Sequence, residues 1–203
     1  MDFLLFCLEK REVLLFATLR HIEVSAIAVV ISVVVAVPLG ILITRYRKLA
    51  HVVVNSANIG QTIPSLAILG LVIPVLGIGL KPAVFAIVIR GVLPILNNTY
   101  SGIVNVDRFL IEAGRGMGMK NREILTLVEI PLSFPVIMAG IRTAAVLSIS
   151  VAALAALIGA GGLGDLIFQG IVMADRNLLL AGSIPTALLA VGTDAGLGWM
   201  EKR

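Results

Sequence analysis

The sequence predicts an all-α integral membrane fold of about five transmembrane helices, and three observations carry that prediction. Uncharged runs long enough to cross a bilayer recur along the chain; the composition is too apolar for a water-soluble domain; and one polar, glycine-punctuated island at residues 112–131 interrupts the apolar pattern. Of the 203 residues, 59% are hydrophobic and 14% charged, against roughly 45–50% and about 25% in soluble domains. The net charge of +4 does not point to nucleic acid, because Lys and Arg stand at the ends of apolar runs, as topology determinants do.

The N-terminal stretch mixes apolar side chains with Glu9, Lys10, Arg11 and Glu12. That pattern suits a helix lying in the membrane interface. It lacks the basic-then-apolar order and the cleavage site of a signal peptide, so it is expected to stay attached. A boundary at 21–22 then separates an interfacial segment, 1–21, from a membrane domain, 22–203. Cys7 stands alone, which excludes an intramolecular disulfide and a thiolate metal cluster.

Span one is the uncharged run Val24 to Thr44. The next uncharged run, Val52 to Leu80, is too long for one straight crossing and contains Gly60, Pro64, Gly70 and Pro74, so span two should be kinked or broken. Span three, Pro82 to Tyr100, carries Arg90; span four, Leu132 to Ala160, carries Arg142; span five, Asn177 to Met200, carries Asp194. Five crossings put the termini on opposite faces. With the C-terminus cytoplasmic, the inner segments hold Arg45, Arg47, Lys48, Arg108, Arg115, Lys120, Arg122, Lys202 and Arg203, and the outer ones Lys10, Arg11, Arg20, Lys81 and Arg176. The positive-inside rule therefore favours N-terminus out and C-terminus in, which places residues 105–131 in the cytoplasm.

Within that loop the spacing is specific. Glu112-Ala113-Gly114, three residues, Gly118, nine residues and then Val128-x-Ile130-Pro131 resembles the EAA loop of ABC-importer permeases, EAA-x3-G-x9-I-x-L-P. Gly114 for Ala, Val128 for Ile and Ile130 for Leu depart from the pattern, and only Gly114 weakens helix propensity. The segment reads as two short helices turning at Gly116 to Gly118 and closed by Pro131.

The segments GILITRYRKLA (40–50), QTIPSLAILG (61–70), LPILNNTYSGI (93–103), IEAGRGMGM (111–119), PVIMAGIRTAAV (135–146) and LAALIGAGGLGDLIFQGI (154–171) extend the likeness to permease subunits of osmoprotectant importers for glycine betaine, carnitine and choline. The resemblance implies a type I ABC importer permease fold in the cell (inner) membrane. It also implies the partners: two ABC ATPase subunits, an external solute-binding protein, and a second permease as homodimer or heterodimer. The loop would then lie across a groove in the ATPase. By position, Glu112 and Ala113-Gly114 would belong to the first short helix, which Glu112 anchors; Gly118 would permit close backbone approach; Arg115, Lys120 and Arg122 would supply rim charge for docking.

Quaternary-ammonium recognition normally uses an aromatic cage. Here aromatics are 5%, and Trp199, Tyr46 and Tyr100 fall near predicted span ends, so solute selection is expected to reside mainly in the external partner. Candidates for lining a transient pathway are Asn55, Asn58, Gln61 and Thr62 on span two, Asn97 and Asn98 with Arg90 on span three, and Ser148 and Ser150 on span four. The alternative for the uncharged ones is interhelical hydrogen bonding. Arg90 suits a pathway only if the solute is zwitterionic. Arg142 reads as a structural or dimer contact, and Asp194 as the partner of another helix or a hydrated group.

Gly159-Ala160-Gly161-Gly162-Leu163-Gly164 fits a dinucleotide fingerprint but follows an apolar helix with no βαβ unit. It reads as a flexible external turn, and Ala152, Ala156 and Ala160 as a packing row. No acid–base pair, metal-ligand cluster or Walker lysine motif appears. The chain is therefore expected not to be an enzyme and to bind no cofactor of its own, ATP being used by the partner ATPase. The competing class is a carrier driven by an ion gradient, which needs its own coupling site in mid-membrane.

Overall fold

The computed structural model describes residues 3–201; Lys202 and Arg203, which entered the charge count, and the side chain of Arg47 lie outside the described residues. Ten α-helices follow one another: α1 Phe3–Glu9, α2 Arg11–Ile43, α3 Arg47–Thr62, α4 Ser65–Leu76, α5 Leu80–Val104, α6 Arg108–Gly116, α7 Asn121–Ile124, α8 Ile130–Ala155, α9 Leu163–Val172 and α10 Arg176–Glu201. Among the described residues four helical stretches are long and apolar enough to cross a membrane; α3 and α4, bent by 100° where they meet, pass the same test only as a pair. The expected break in span two therefore falls at Ile63-Pro64, where Pro64 lacks the N–H a continuing helix would need.

The helix that carries span one begins earlier than the uncharged run. α2 continues from Arg11 through the expected boundary at 21–22 without interruption. The acidic and basic residues of its first turns face outward, while Ala17, His21, Val24 and Ala28 form a buried stripe. His21 fastens that stripe: its Nε2 lies 3.0 Å from the carbonyl of Ile149 on α8, so Nε2 carries the proton and donates.

The centre of the bundle is α2, α5 and α8, and small residues let their backbones approach. A β-carbon at Gly91 on α5 would fall 2.6 Å from Ser32 Oγ on α2, and one at Gly140 on α8 would fall 2.7 Å from Asn98 Cβ on α5. Two apolar clusters fill the bundle lengthwise, one around Ala28, Leu69, Ile87 and Ala152, the other around Ala36, Ile43, Ile95 and Ala144. Side chains such as Val34, Leu188 and Val191 stay exposed on its rim, which is the surface lipid covers in a protein of this composition.

At one end the glycine-rich turn is held from both sides. The N–H of Gly79 donates to Ile158 O at 2.6 Å, and Arg20 Nε donates to Ala160 O at 3.2 Å. The turn leads into α9, a helix the sequence pattern did not predict, whose Leu163 and Leu166 pack with Leu178 and Ala181 of α10. Ala152, Ala156 and Ala160 are all buried, as a packing row should be. Burial also pushes the Asp165 carboxyl, at the start of α9, above its ordinary range.

Candidate functional site

At the other end of the bundle the polar island folds into an elbow. Asp107 caps α6, its carboxylate accepting from the N–H of Phe109 at 2.9 Å; that capping role belongs to Asp107, while Glu112 stands exposed further along the helix. The helix then ends in a Schellman turn: the N–H of Gly118 donates to Arg115 O at 2.9 Å and that of Met119 to Gly114 O at 3.1 Å. Gly118 has φ +84°, a left-handed conformation that glycine adopts freely and that, of other residues, Asn tolerates best. Met119 folds back over Gly114, where a β-carbon would come within 3.2 Å of the Met119 sulfur. Glycine in place of the pattern's alanine thus makes room for the turn. α7 starts with Glu123 Oε2 accepting from the N–H of Lys120 at 2.7 Å.

The outward side of the elbow combines charge with large apolar side chains. Ala113, Arg115, Lys120 and Arg122 are exposed with Glu112, and Phe109 and Met117 are 72% and 76% exposed. Sequence reasoning named the cations and missed Phe109 and Met117. The available signal was their place beside the island, in segments too short and polar to be spans.

Pro131 does not close the second short helix. From α7 the chain passes through a π-helical segment, Leu125–Glu129, straight into α8, and the N–H of Ile130 bonds to Leu125 O. A π turn widens the helix and shifts the hydrogen-bond register. Pro131 therefore enters where its missing N–H and its ring are tolerated. The same segment carries Glu129, 5% exposed, whose carboxylate pairs in bidentate fashion with the guanidinium of Arg45 just beyond the end of α2. This clamp joins the elbow to span one; the sequence analysis named Arg45 only as a topology charge and did not name Glu129.

The candidate pathway residues divide. Asn97 Nδ2 donates to Asn58 Oδ1 at 2.8 Å, and Arg90 Nη1 donates to the carbonyls of Gln61 at 2.9 Å and Ile63 at 3.3 Å. These bonds bring Asn58, Gln61, Arg90 and Asn97 together along one strip between α3 and α5, at the break. Thr62 turns its hydroxyl back to Ile59 O, and Asn55 lies 3.4 Å from His51 Nδ1. Asn98 leaves the strip: it bonds Pro94 O and packs towards α8. Ser148 is buried at the α2–α5–α8 junction beside Gly91, and Ser150 is exposed and bonded to Val146 O.

Arg142 is neutralised within the chain. Its Nε and Nη2 meet the two carboxylate oxygens of Asp194 at 2.6 and 2.7 Å, and Nη1 meets Glu201 at 3.2 Å. Of the open readings for Arg142 and Asp194, the structure therefore selects a tie between α8 and α10.

Comparison with known proteins agrees with this architecture. Residues 36–203 match the family model described as binding-protein-dependent transport system inner membrane component. The chain is 50% identical to the carnitine transport permease protein OpuCB of Listeria monocytogenes over 94% of its own length and 87% of the relative's. It is 48% identical to the glycine betaine/carnitine/choline transport system permease protein OpuCB of Bacillus subtilis, covering 94% and 88%. With the osmoprotectant import permease protein OsmW of Salmonella typhimurium it shares 43% identity over 96% and 93%. Its fold is that of the MetNI methionine ABC transporter in inward-facing form, with a TM-score of 0.83 at 21% identity over 93% of this chain and 95% of that one. It is equally that of an amino acid ABC transporter, with a TM-score of 0.83 at 18% identity over 100% and 99%. A multi-pass bundle with a polar elbow, matched over most of its length by permease sequences, belongs to the family of inner-membrane components of binding-protein-dependent transport systems, and this chain is a member of it.

Proposed function

We propose that this chain carries a compatible solute of the quaternary-ammonium class, glycine betaine, carnitine or choline, across the membrane as the permease subunit of an ABC importer. The energy comes from ATP hydrolysed by partner ATPase subunits, and the solute arrives from an external binding protein. Two permeases, identical or sister chains, would enclose the pathway. The N-terminus faces outward and the C-terminus and elbow face the cytoplasm.

The observation that carries this reading is the elbow. A surface with exposed Phe109 and Met117 among Arg115, Lys120 and Arg122 offers apolar knobs for a groove and cations for its rim. Gly114 and Gly118 give it its shape, Glu112 and Ala113 lie exposed on its first helix, and the helix through Pro131 would carry displacement into α8. The Arg45–Glu129 clamp takes α2 along. Closure of an ATPase dimer against the elbow would then reorient the spans around the Asn58–Asn97 strip. The solute class is supported by the relatives' names; the scarcity of aromatics leaves its selection to the binding protein.

The test is reconstitution in proteoliposomes with the ATPase and the binding protein. Uptake of radiolabelled glycine betaine, carnitine or choline should require ATP and all three components. Uptake by the permease alone along an ion gradient would instead establish a carrier. Labelling of single cysteines at Arg115 or Lys120 from the outside only would reverse the orientation.

A further inference from the structure

We infer that the Arg90 guanidinium is the docking point for the carboxylate of the transported solute, an assignment that rests on the osmoprotectant reading above and narrows it to carboxylate-bearing members of the class. Arg90 lies ten residues into α5, about 15 Å from its start at a rise of 1.5 Å per residue and hence well inside the span. A guanidinium at such depth needs a counter-charge or water. Arg142 shows how this chain meets that need, with two carboxylates. Arg90 has no such partner: among the described residues no carboxylate lies within ion-pair distance of it.

Its hydrogen bonds leave capacity unused. Only Nη1 donates, to the carbonyls of Gln61 and Ile63, while Nε is enclosed without a partner. Those carbonyl bonds fix the guanidinium at the break between α3 and α4. They do not cancel its charge. Nη2 makes no hydrogen bond and is not enclosed, so a guanidinium held at Nη1 keeps one charged donor for a carboxylate oxygen. The position also suits the solute's other end, because the carbonyl terminus of α3 beside Arg90 is the negative end of that helix. A zwitterion thus meets opposite charges at one discontinuity, and a bare cation meets Arg90 as a repulsive group.

The strip around Arg90 alternates apolar packing with polar contacts. Leu93 packs against Gly60 of α3, and one turn further on Asn97 bonds Asn58 while its own Oδ1 stays enclosed without a partner.

The test uses the assembled importer in proteoliposomes, with glycine betaine and carnitine as carboxylate solutes and choline as the carboxylate-free control. In Arg90→Gln, uptake of the carboxylate solutes should fall about tenfold or more, as for loss of a charge-assisted hydrogen bond, and Arg90→Lys should recover part of it. Choline uptake, where the wild type supports it, should hold or rise, because Arg90 repels a bare cation. Should Arg90→Gln fail to co-purify with the ATPase, Leu93→Asp decides, since it keeps Arg90 and supplies a carboxylate at i+3 that competes for it. That variant should likewise lose carboxylate uptake. Undiminished glycine betaine uptake in either assembled variant, or equal loss of choline and betaine, overturns the assignment. Transport of choline alone by the wild type overturns it too. A wild-type importer that carries none of the three defeats the osmoprotectant reading instead.

Discussion

Removing Arg45 should harm this protein more than removing Arg45 and the charge of Glu129 together. The Glu129 side chain is 6% exposed and that of Arg45 43%, so the two ends of the clamp have unequal access to water. In Arg45→Ala the carboxylate stays where it is and loses its counter-ion. Stranding a fully buried charge costs about 3–5 kcal/mol; with one partner nearly half exposed, water reaches the pair, and about 2 kcal/mol is expected. Glu129→Gln keeps the shape and an acceptor for Arg45 and should cost about 1 kcal/mol. The double variant has no stranded carboxylate, so it should be less destabilised than Arg45→Ala, with a coupling of about 1–2 kcal/mol. Thermal unfolding of the four proteins in one detergent measures the cycle. ATP hydrolysed per solute transported, measured in proteoliposomes, reports the mechanical role, and should rise in Arg45→Ala as span one is released from the elbow. Strict additivity within about 0.5 kcal/mol together with an unaltered ATP-to-solute ratio would show that the clamp neither stabilises the elbow nor transmits anything through it.

Gly118 separates backbone from surface. Gly118→Asn should be nearly silent in uptake, because Asn tolerates the left-handed region. Gly118→Glu has open space at its β-carbon and should insert normally yet lose transport-coupled ATP hydrolysis, by inverting charge on the docking surface; full transport by it would count against docking there. At the opposite end, a β-carbon on Gly164 would lie 2.0 Å from Ala153 O. Gly164→Ala should therefore lower the melting temperature by about 5–10 °C, the equivalent of roughly 2–3 kcal/mol of overpacking, and an unchanged melting temperature would refute that contact. Asp194 meets two donors of Arg142 and Glu201 one, so Asp194→Asn should shift thermal unfolding further than Glu201→Gln, and the reverse order would contradict the geometry.

What was legible in the sequence was whatever local chemistry writes into a short stretch. The break in span two falls at Pro64, one of four glycine and proline positions that the long run offered, and the turn of the elbow falls at Gly118, within the Gly116 to Gly118 stretch and at a φ that few side chains share. The Arg45–Glu129 clamp was not legible. Its halves are 84 residues apart, and Glu129 occupies an unspecified position of the motif. Pro131 misled for a related reason: proline ends an α-helix by removing one hydrogen bond, but a π turn immediately before it had already moved the bond elsewhere. That α2 runs on from Arg11 without a break was not legible, because an uncharged run marks only the apolar part of a helix, and a helix continues past charges that face outward. Of the candidate pathway residues, side-chain type alone did not tell Asn97, which crosses to α3, from Asn98, which packs towards α8; that choice is made by a rotation of about 100° per residue along the helix.

The helix that starts at Asn121 runs unbroken to Ile158 through 38 residues. At 1.5 Å per residue it is a lever of about 57 Å, with one arm outside the apolar slab and the other spanning it. Pivoting it by about 5° around its midpoint swings each tip by about 2.5 Å, nearly the width of a water molecule. A push of that size on the Asn121 end would therefore arrive undiminished at the far tip, with no hinge needed in between.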